Sequence, residues 1–269
     1  LWSALAHDRL PAGSAVNRDA ILQAFVALPA HLRRHLGPAL AAKFLKHDDA
    51  DAARLIRDAM DRAPATDRAA VALLDARAEL HDGNPEAAQA HAEAAVALDG
   101  DKVESLVALV ETHFHTLDPL SPDIAEALLS LRDETDGTAA GSAVDRAIVL
   151  ALALSGQIGA AFTEPAAKGA VSAELWRVTQ DRASDDDFLV QAVLPAGSSA
   201  PAAAPEVRQA IAKRLLSLGF PDAAQIWIGS VSASDPTDRR MVAATAAFMQ
   251  GDARAALAHL QSNGATWVQ

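Results

Sequence analysis

Four groups of residues carry chemistry that the rest of the chain would have to position. His31 and His35 stand four apart in HLRRH, a spacing that turns two imidazoles toward one side of a helix and toward one metal ion. They lack the intervening Glu of the zinc-protease motif, and the sequence places no third ligand. The pair reads better as a solvated face shared with Arg33 and Arg34. His113 and His115, in THFHT, are two apart, and such residues on a helix point to different sides. One is then expected outside and the other partly buried. Asp48, Asp49 and Asp51 gather carboxylates as a calcium loop does, and so do Asp185, Asp186 and Asp187. Both groups lack that loop's Gly at position six and Glu at position twelve. Each instead precedes a helix, where carboxylates accept free N–H groups and favour the dipole.

No nucleophile motif appears: no Gly-x-Ser-x-Gly, no Ser-x-x-Lys and no Gly-rich phosphate loop. Glu104-Ser105 resembles the Glu-Ser start of lytic transglycosylase domains, enzymes that also carry Ala-rich helical superhelices, but the Gly-Leu-Met-Gln-like motif that should follow is missing. The absence of cysteine excludes disulfides, thiolate catalysis and thiolate metal sites. We expect no catalytic residue, no metal site and no cofactor, and hence a protein that is not an enzyme.

The 269 residues suit one elongated array or two ordinary domains. Roughly 65 of them are Ala, far above ordinary usage, and aromatics are 4% with no Tyr. Ala is the strongest helix former and lets helices approach closely. Such a composition suits thin, stacked helices. The net charge of −12 and the absence of Lys/Arg runs argue against nucleic acid as a partner. No apolar run approaches the ~18 residues of a membrane span, so no direct membrane insertion is expected. Starting at Leu1, as after removal of a signal peptide, and lacking cysteine, the chain is expected in the periplasm rather than the cytoplasm.

Turn chemistry recurs at Asp48, Gly83, Gly156, Gly219 and Gly251, with separations of 35, 73, 63 and 32 residues. A period of roughly 34 predicts hidden turns near residues 118 and 187, where DPLSP and SDDD stand. Seven turns imply about seven helical hairpins. Asn17 can cap a helix through Ile21, Phe25 and Leu28 that Pro29 stops, and residues 38–46 lead into the first turn. Pro85 fits a first helical position, and Pro119, Pro122, Pro221 and Pro236 fall at helix boundaries. Residues 159–171 are too broken for a full helix, and 195–205 (PAGSSAPAAAP) read as a hinge or break. Trp2, Trp176, Trp227 and Trp267 are packing residues by default. An exposed Trp at either end of the chain would point to a covering neighbour.

Residues at fixed offsets from these turns resemble the tetratricopeptide repeat family. Around Gly83, Ala76 takes the small position of the first helix, Ala88 and Ala95 those of the second, and Gly100 stands where the family usually has Pro. The corresponding residues are Ala212, Ala224, Val231 and Pro236 around Gly219, and Ala244, Ala256 and Asn263 around Gly251. Ala53 matches around Asp48, with Met60 in place of the later Ala. The stretches 67–101 and 205–262 match well; 102–135 and 142–194 match in period alone, and the aromatic residues typical of the first helix are replaced by Ala and Leu.

The resemblance implies an all-α, right-handed α-α superhelix, one solenoid over residues 1–269, with a concave surface lined by the first helix of each pair. First-helix positions facing it would be Arg77, Arg146, Gln209, Lys213, Thr245 and Met249. Three cations on an acidic protein suit an acidic or C-terminal peptide segment. The expected function is a non-enzymatic interaction or scaffold module binding a protein or peptide partner. The alternative is a helical region of a larger envelope enzyme or assembly factor.

Overall fold

The computed structural model describes residues 15–61, 67–99, 102–138, 140–169, 171–194, 198–232 and 234–260. Every regular element among them is helical: α1 (Ala15–Val26), α2 (Ala30–Lys46), α3 (Ala50–Asp61), α4 (Arg68–His81), α5 (Pro85–Leu98), α6 (Val103–Thr116), α7 (Pro122–Thr135), α8 (Gly141–Leu154), α9 (Ile158–Thr163), α10 (Ser172–Arg182), α11 (Asp185–Ala192), α12 (Pro205–Ser217), α13 (Pro221–Ile228), α14 (Thr237–Met249) and α15 (Ala253–Leu260), with a 3-10 turn at Pro165–Lys168 after α9. Helices adjacent in sequence pack on one another, most extensively α4 with α5, α2 with α3, α14 with α15, α5 with α6 and α12 with α13.

The pairs share one turn. Asp48, Gly83, Gly156, Gly219 and Gly251 all adopt left-handed backbone, with φ of 59°, 79°, 84°, 88° and 85°. The residue after each donates its N–H to the carbonyl five residues back: Asp49 to Phe44, Asn84 to Glu79, Gln157 to Leu152, Phe220 to Leu215 and Asp252 to Ala247, at 2.8–3.0 Å. This bond closes the C-terminal end of the first helix, and the second helix begins one residue later. Of these five, only Asp48 carries a side chain, and Asp tolerates that conformation better than most residues; Leu117, just past α6 and next to the turn expected near 118, also has φ 59°.

Small residues hold the pairs together. Seven residues before the turn stand Ala41, Ala76, Val149, Ala212 and Ala244; five after it stand Ala53, Ala88, Ala161, Ala224 and Ala256. All ten are buried. A small side chain at both contact points lets two backbones approach closely. Ala95 and Met60 are buried as well. Val231, matched as a small contact, instead lies past the end of α13, because Gly229 turns left-handed at φ 64° and stops the helix. Gly100 and Asn263 lie outside the described residues, as do Trp2 and Trp267.

Two compact units divide between Ala147 and Ile148, inside α8. In the first, Ile21, Phe25, Leu40, Phe44, Ile56 and Met60 form the core around α1 to α3. Asn17, expected at the start of α1, falls within the helix, and α2 runs from Ala30 straight through Pro38. Arg18 binds Asp49 through Nε at 2.6 Å and Nη2 at 3.0 Å, and Asp49 also accepts the N–H of Ala52. Arg54 pairs with Asp82, and Arg57 Nε donates to Asp75 at 2.6 Å. These bonds tie successive pairs edge to edge.

The second unit contains the shortest helices and the broken stretch 158–168. The segment expected to be a hinge, 195–205, belongs to it; 195–197 lie outside the described residues, 198–204 form no helix and Pro205 opens α12. Trp176 and Trp227 are buried edge-to-face, 4.5 Å between ring centres, and Trp227 Nε1 donates to the Ala192 carbonyl at 2.8 Å. Near residue 187 the break falls earlier, at Ala183–Ser184. Ser184 Oγ accepts the Asp187 N–H and donates to the Asp187 carboxylate, capping α11. Arg214 clamps that corner, donating to the carbonyls of Gln180 and Ala183 and to Asp185, with its guanidinium 4.3 Å over the Phe188 ring.

Two measurements check this. Gly219→Val forces a branched side chain into left-handed backbone and should lower stability in urea by about 1–2 kcal/mol. Gly159→Ala, inside α9 with open space around its new Cβ, should be neutral or stabilising by up to about 1 kcal/mol. Arg18 holds the Asp49 carboxyl below the usual carboxylate range. Its folded pKa lies under its unfolded one, so the stability it contributes is present above about pH 4 and lost as pH falls through the folded value. Asp49→Asn should therefore flatten the acid limb of stability against pH while leaving the slope above pH 6 unchanged.

Candidate partner-binding surface

The six candidate groove residues fall into two groups, one in each unit. In the first unit, Asp67 fixes the start of α4 by accepting the Ala70 N–H at 3.1 Å, and its carboxylate also takes Lys102 Nζ at 3.0 Å, just before α6. Leu106, Leu109, Val110 and His113 of α6 turn inward, while Glu104 is exposed and Glu111 half-buried. Arg146 on α8 stands 3.9 Å from Glu111 and 5.9 Å over the Phe114 ring. Arg77 on α4 is half-buried; burial pulls its guanidinium below the usual arginine value, and the carboxylates of Glu111 and Glu104 draw it back up. Arg77 and Arg146 therefore share one acidic neighbour on the helix between them. The basic strip visible in the sequence is balanced from within the chain.

In the second unit, Lys213 on α12 and Thr245 on α14 line one cavity of about 290 Å³, together with Leu216, Asp238, Met241 and Val242. Lys213 is again matched, by Asp238 at 3.9 Å. The Thr245 hydroxyl donates to the Met241 carbonyl at 2.8 Å, and the residue is exposed. Gln209 precedes Lys213 by one turn of α12, and Met249 follows Thr245 by one turn of α14.

α14 is held firmly enough to present a face. Arg239 donates to Asp235 and to the carbonyls of Ile228 and Ser230, and hydrogen bonds from Ser232 hold the Asp235 carboxyl below its ordinary range. Val242, Ala243, Ala246 and Ala247 face inward. The opposite stripe comprises Met241, Thr245, Phe248 and Met249, at helical spacing. Met241 is 49% exposed, Phe248 69% and Met249 45%. The sequence reading missed Met241, Phe248 and Leu216. The signal was available: Met and Phe recur at positions 241, 248 and 249, on the side of α14 away from its alanines.

The remaining candidates have local roles. His31 and His35 are both exposed on α2, and among the described residues no three His, Asp or Glu gather as metal ligands do. His113 is buried, its Nδ1 3.4 Å from the Asp118 carbonyl, while His115 is exposed. Ser105 is buried and Glu104 exposed, so that pair shares no cleft. Among the described residues no helix is long and apolar enough to cross a membrane. No family model, curated protein or solved structure matches this chain.

The stripe on α14 supports little of the fold. Phe248→Ser and Met241→Ser should each change unfolding free energy by less than about 0.5 kcal/mol, measured by chemical denaturation. Ala244→Leu, on the packed side of the same helix, should cost about 1–3 kcal/mol.

Proposed function

We propose that the chain is a tetratricopeptide-like α-solenoid, a right-handed superhelix of helix pairs, and that it works as a non-enzymatic interaction module. Its first helices supply the surface that receives a peptide or partner protein. One observation carries this reading: Met241, Phe248 and Met249 stand exposed on a braced helix, beside a cavity whose floor is Leu216 and Val242. Exposed large apolar residues grouped on one rigid face mark interaction sites more often than chance exposure does, and Met adapts to varied partner shapes. A helical or extended peptide would anchor apolar residues there, with polar groups meeting Lys213 and Asp238 at the rim.

Arg77 and Arg146 supply the charged part of the reading. A partner carboxylate reaching them must compete with Glu111. The sequence alone suggested free cations waiting for an acidic peptide; guarded cations select for partners whose carboxylate is better placed than Glu111.

The test is selection of a displayed peptide library on the purified chain. Saturable binders are expected, and Met241→Asp with Phe248→Asp should weaken apolar-anchored binders at least tenfold at unchanged melting temperature. Glu111→Gln should strengthen acidic binders several-fold at low salt, because it removes the competitor. Failure to select any saturable binder, or binders indifferent to all three substitutions, contradicts the reading.

A further inference from the structure

The α14–α15 pair ends in an apolar face that two earlier pairs keep covered. The positions concerned are ten and three residues before the turn, and six and nine after it. Around Gly83 they hold Leu73, Leu80, Gln89 and Ala92, and around Gly219 they hold Gln209, Leu216, Gln225 and Ile228. All eight residues are buried or half-buried. In both cases a following helix lies against the pair: α6 against α4 and α5, and α14 against α12 and α13. Thr116 of α6 donates to Gln89 Oε1 at 3.2 Å, and Leu216 meets Met241 and Val242 of α14 around one cavity. Around Gly251 the same four positions hold Met241, Phe248, Leu257 and Leu260, and these are 49%, 69%, 59% and 44% exposed. Among the described residues no helix follows α15.

What covers these positions inside the chain is a helix of the same build, and charge says whose helix fits here. Between Thr237 and Leu260 stand Arg239, Arg240 and Arg254 against Asp238 and Asp252, a balance of +1 in a chain of −12. A second copy therefore meets no repulsion at this end, and the face carries no charge excess with which to select a strongly charged partner. The face also complements itself. Met241 and Phe248 are seven apart on one side of α14, so two antiparallel α14 helices set Met241 of each copy against Phe248 of the other, a favourable sulfur–aromatic pairing. The four side chains expose roughly 400 Å² of apolar surface, the size of patch that marks an interaction site. Doubled and rimmed by polar residues, that reaches about 1,200 Å², the lower bound of a stable interface.

We propose that this face joins two copies of the chain, with α14 and α15 of one lying on α14 and α15 of the other about a two-fold axis. This goes beyond the peptide-binding reading and does not rest on it, since Leu257 and Leu260 line no part of the α12–α14 cavity. Met241 belongs to both surfaces, so a peptide anchored there and a second copy exclude each other.

The test is sedimentation velocity on the purified full chain, without peptide, from about 1 to 200 µM. A reversible species of twice the chain mass is expected, with a dissociation constant of about 1–50 µM. Leu257→Asp with Leu260→Asp should weaken it at least tenfold, and so should Phe248→Asp, at unchanged circular dichroism because all three side chains are exposed. Leu98→Asp and Val190→Asp, at exposed apolar residues elsewhere, should leave it unchanged. The chain has no cysteine, so Thr245→Cys, placed between Met241 and Phe248 on α14, should cross-link to the same residue of a second copy through a short bis-maleimide. A chain that stays monomeric throughout, a dimer that survives the α15 double variant or Phe248→Asp, one that dissociates equally with Leu98→Asp or Val190→Asp, or the lack of that cross-link overturns the proposal. Leu257→Asp with Leu260→Asp should leave selected peptides bound as well or better, because the competing copy is gone, so loss of the dimer and failure of the peptide surface are told apart.

Discussion

One backbone hydrogen bond, reaching from a left-handed turn to the carbonyl five residues behind it, organises the described structure. It occurs after Asp48, Gly83, Gly156, Gly219 and Gly251. The bond does two things at once. It satisfies carbonyls that the end of a helix leaves open, and it reverses the chain within two residues, so the next helix must pack back on the last. That reversal is compatible with close packing only if the contact points are small. The alanines, and one valine, at minus seven and plus five from the turn meet that requirement. Turn and small residues are therefore two halves of one constraint, and an Ala-rich composition is its visible trace.

A helix pair built this way hides one face and leaves another open, so each needs a neighbour. Polar links between pairs add register: Arg18 with Asp49, Arg54 with Asp82, and Arg214 with the corner at Ala183–Ser184. Most are partly exposed pairs whose individual contribution is small. Their value lies in fixing which turn of one pair meets which helix of the next. The apolar burial of Phe25, Ile56, Trp176 and Trp227 supplies the larger share of the stabilisation.

The turns were legible because Gly and Asp are among the few residues that accept left-handed backbone, and because proline marks helix starts without disturbing a bond that would exist. What eluded the sequence was whatever depends on a second element. The helix α2 runs on through Pro38, and Gly37 beside it lets Met60 and Phe25 come close to its backbone; a proline and a glycine read in isolation look like an end. The break expected near residue 187 falls at Ser184, where a hydroxyl caps the helix. Arg77 and Arg146 were readable as cations, but Glu111, which stands between them, lies on another helix 34 residues after Arg77. The stripe on α14 opposite its alanines was legible in the spacing; that it stays exposed once α12, α13 and α15 have packed against α14 was not.

The surface reading stands on this frame, since Met241, Phe248 and Met249 stay exposed only if α14 buries its alanine side against the helices that the turns at Gly219 and Gly251 bring to it. Backbone NMR of the intact chain tests the frame most directly. Positive φ from chemical shifts and scalar couplings at Asp48, Gly83, Gly156, Gly219 and Gly251 is expected, with slow hydrogen exchange of the amides of Asp49, Asn84, Gln157, Phe220 and Asp252. Negative φ at these positions, or exchange at the rate of an unstructured chain, would contradict the account.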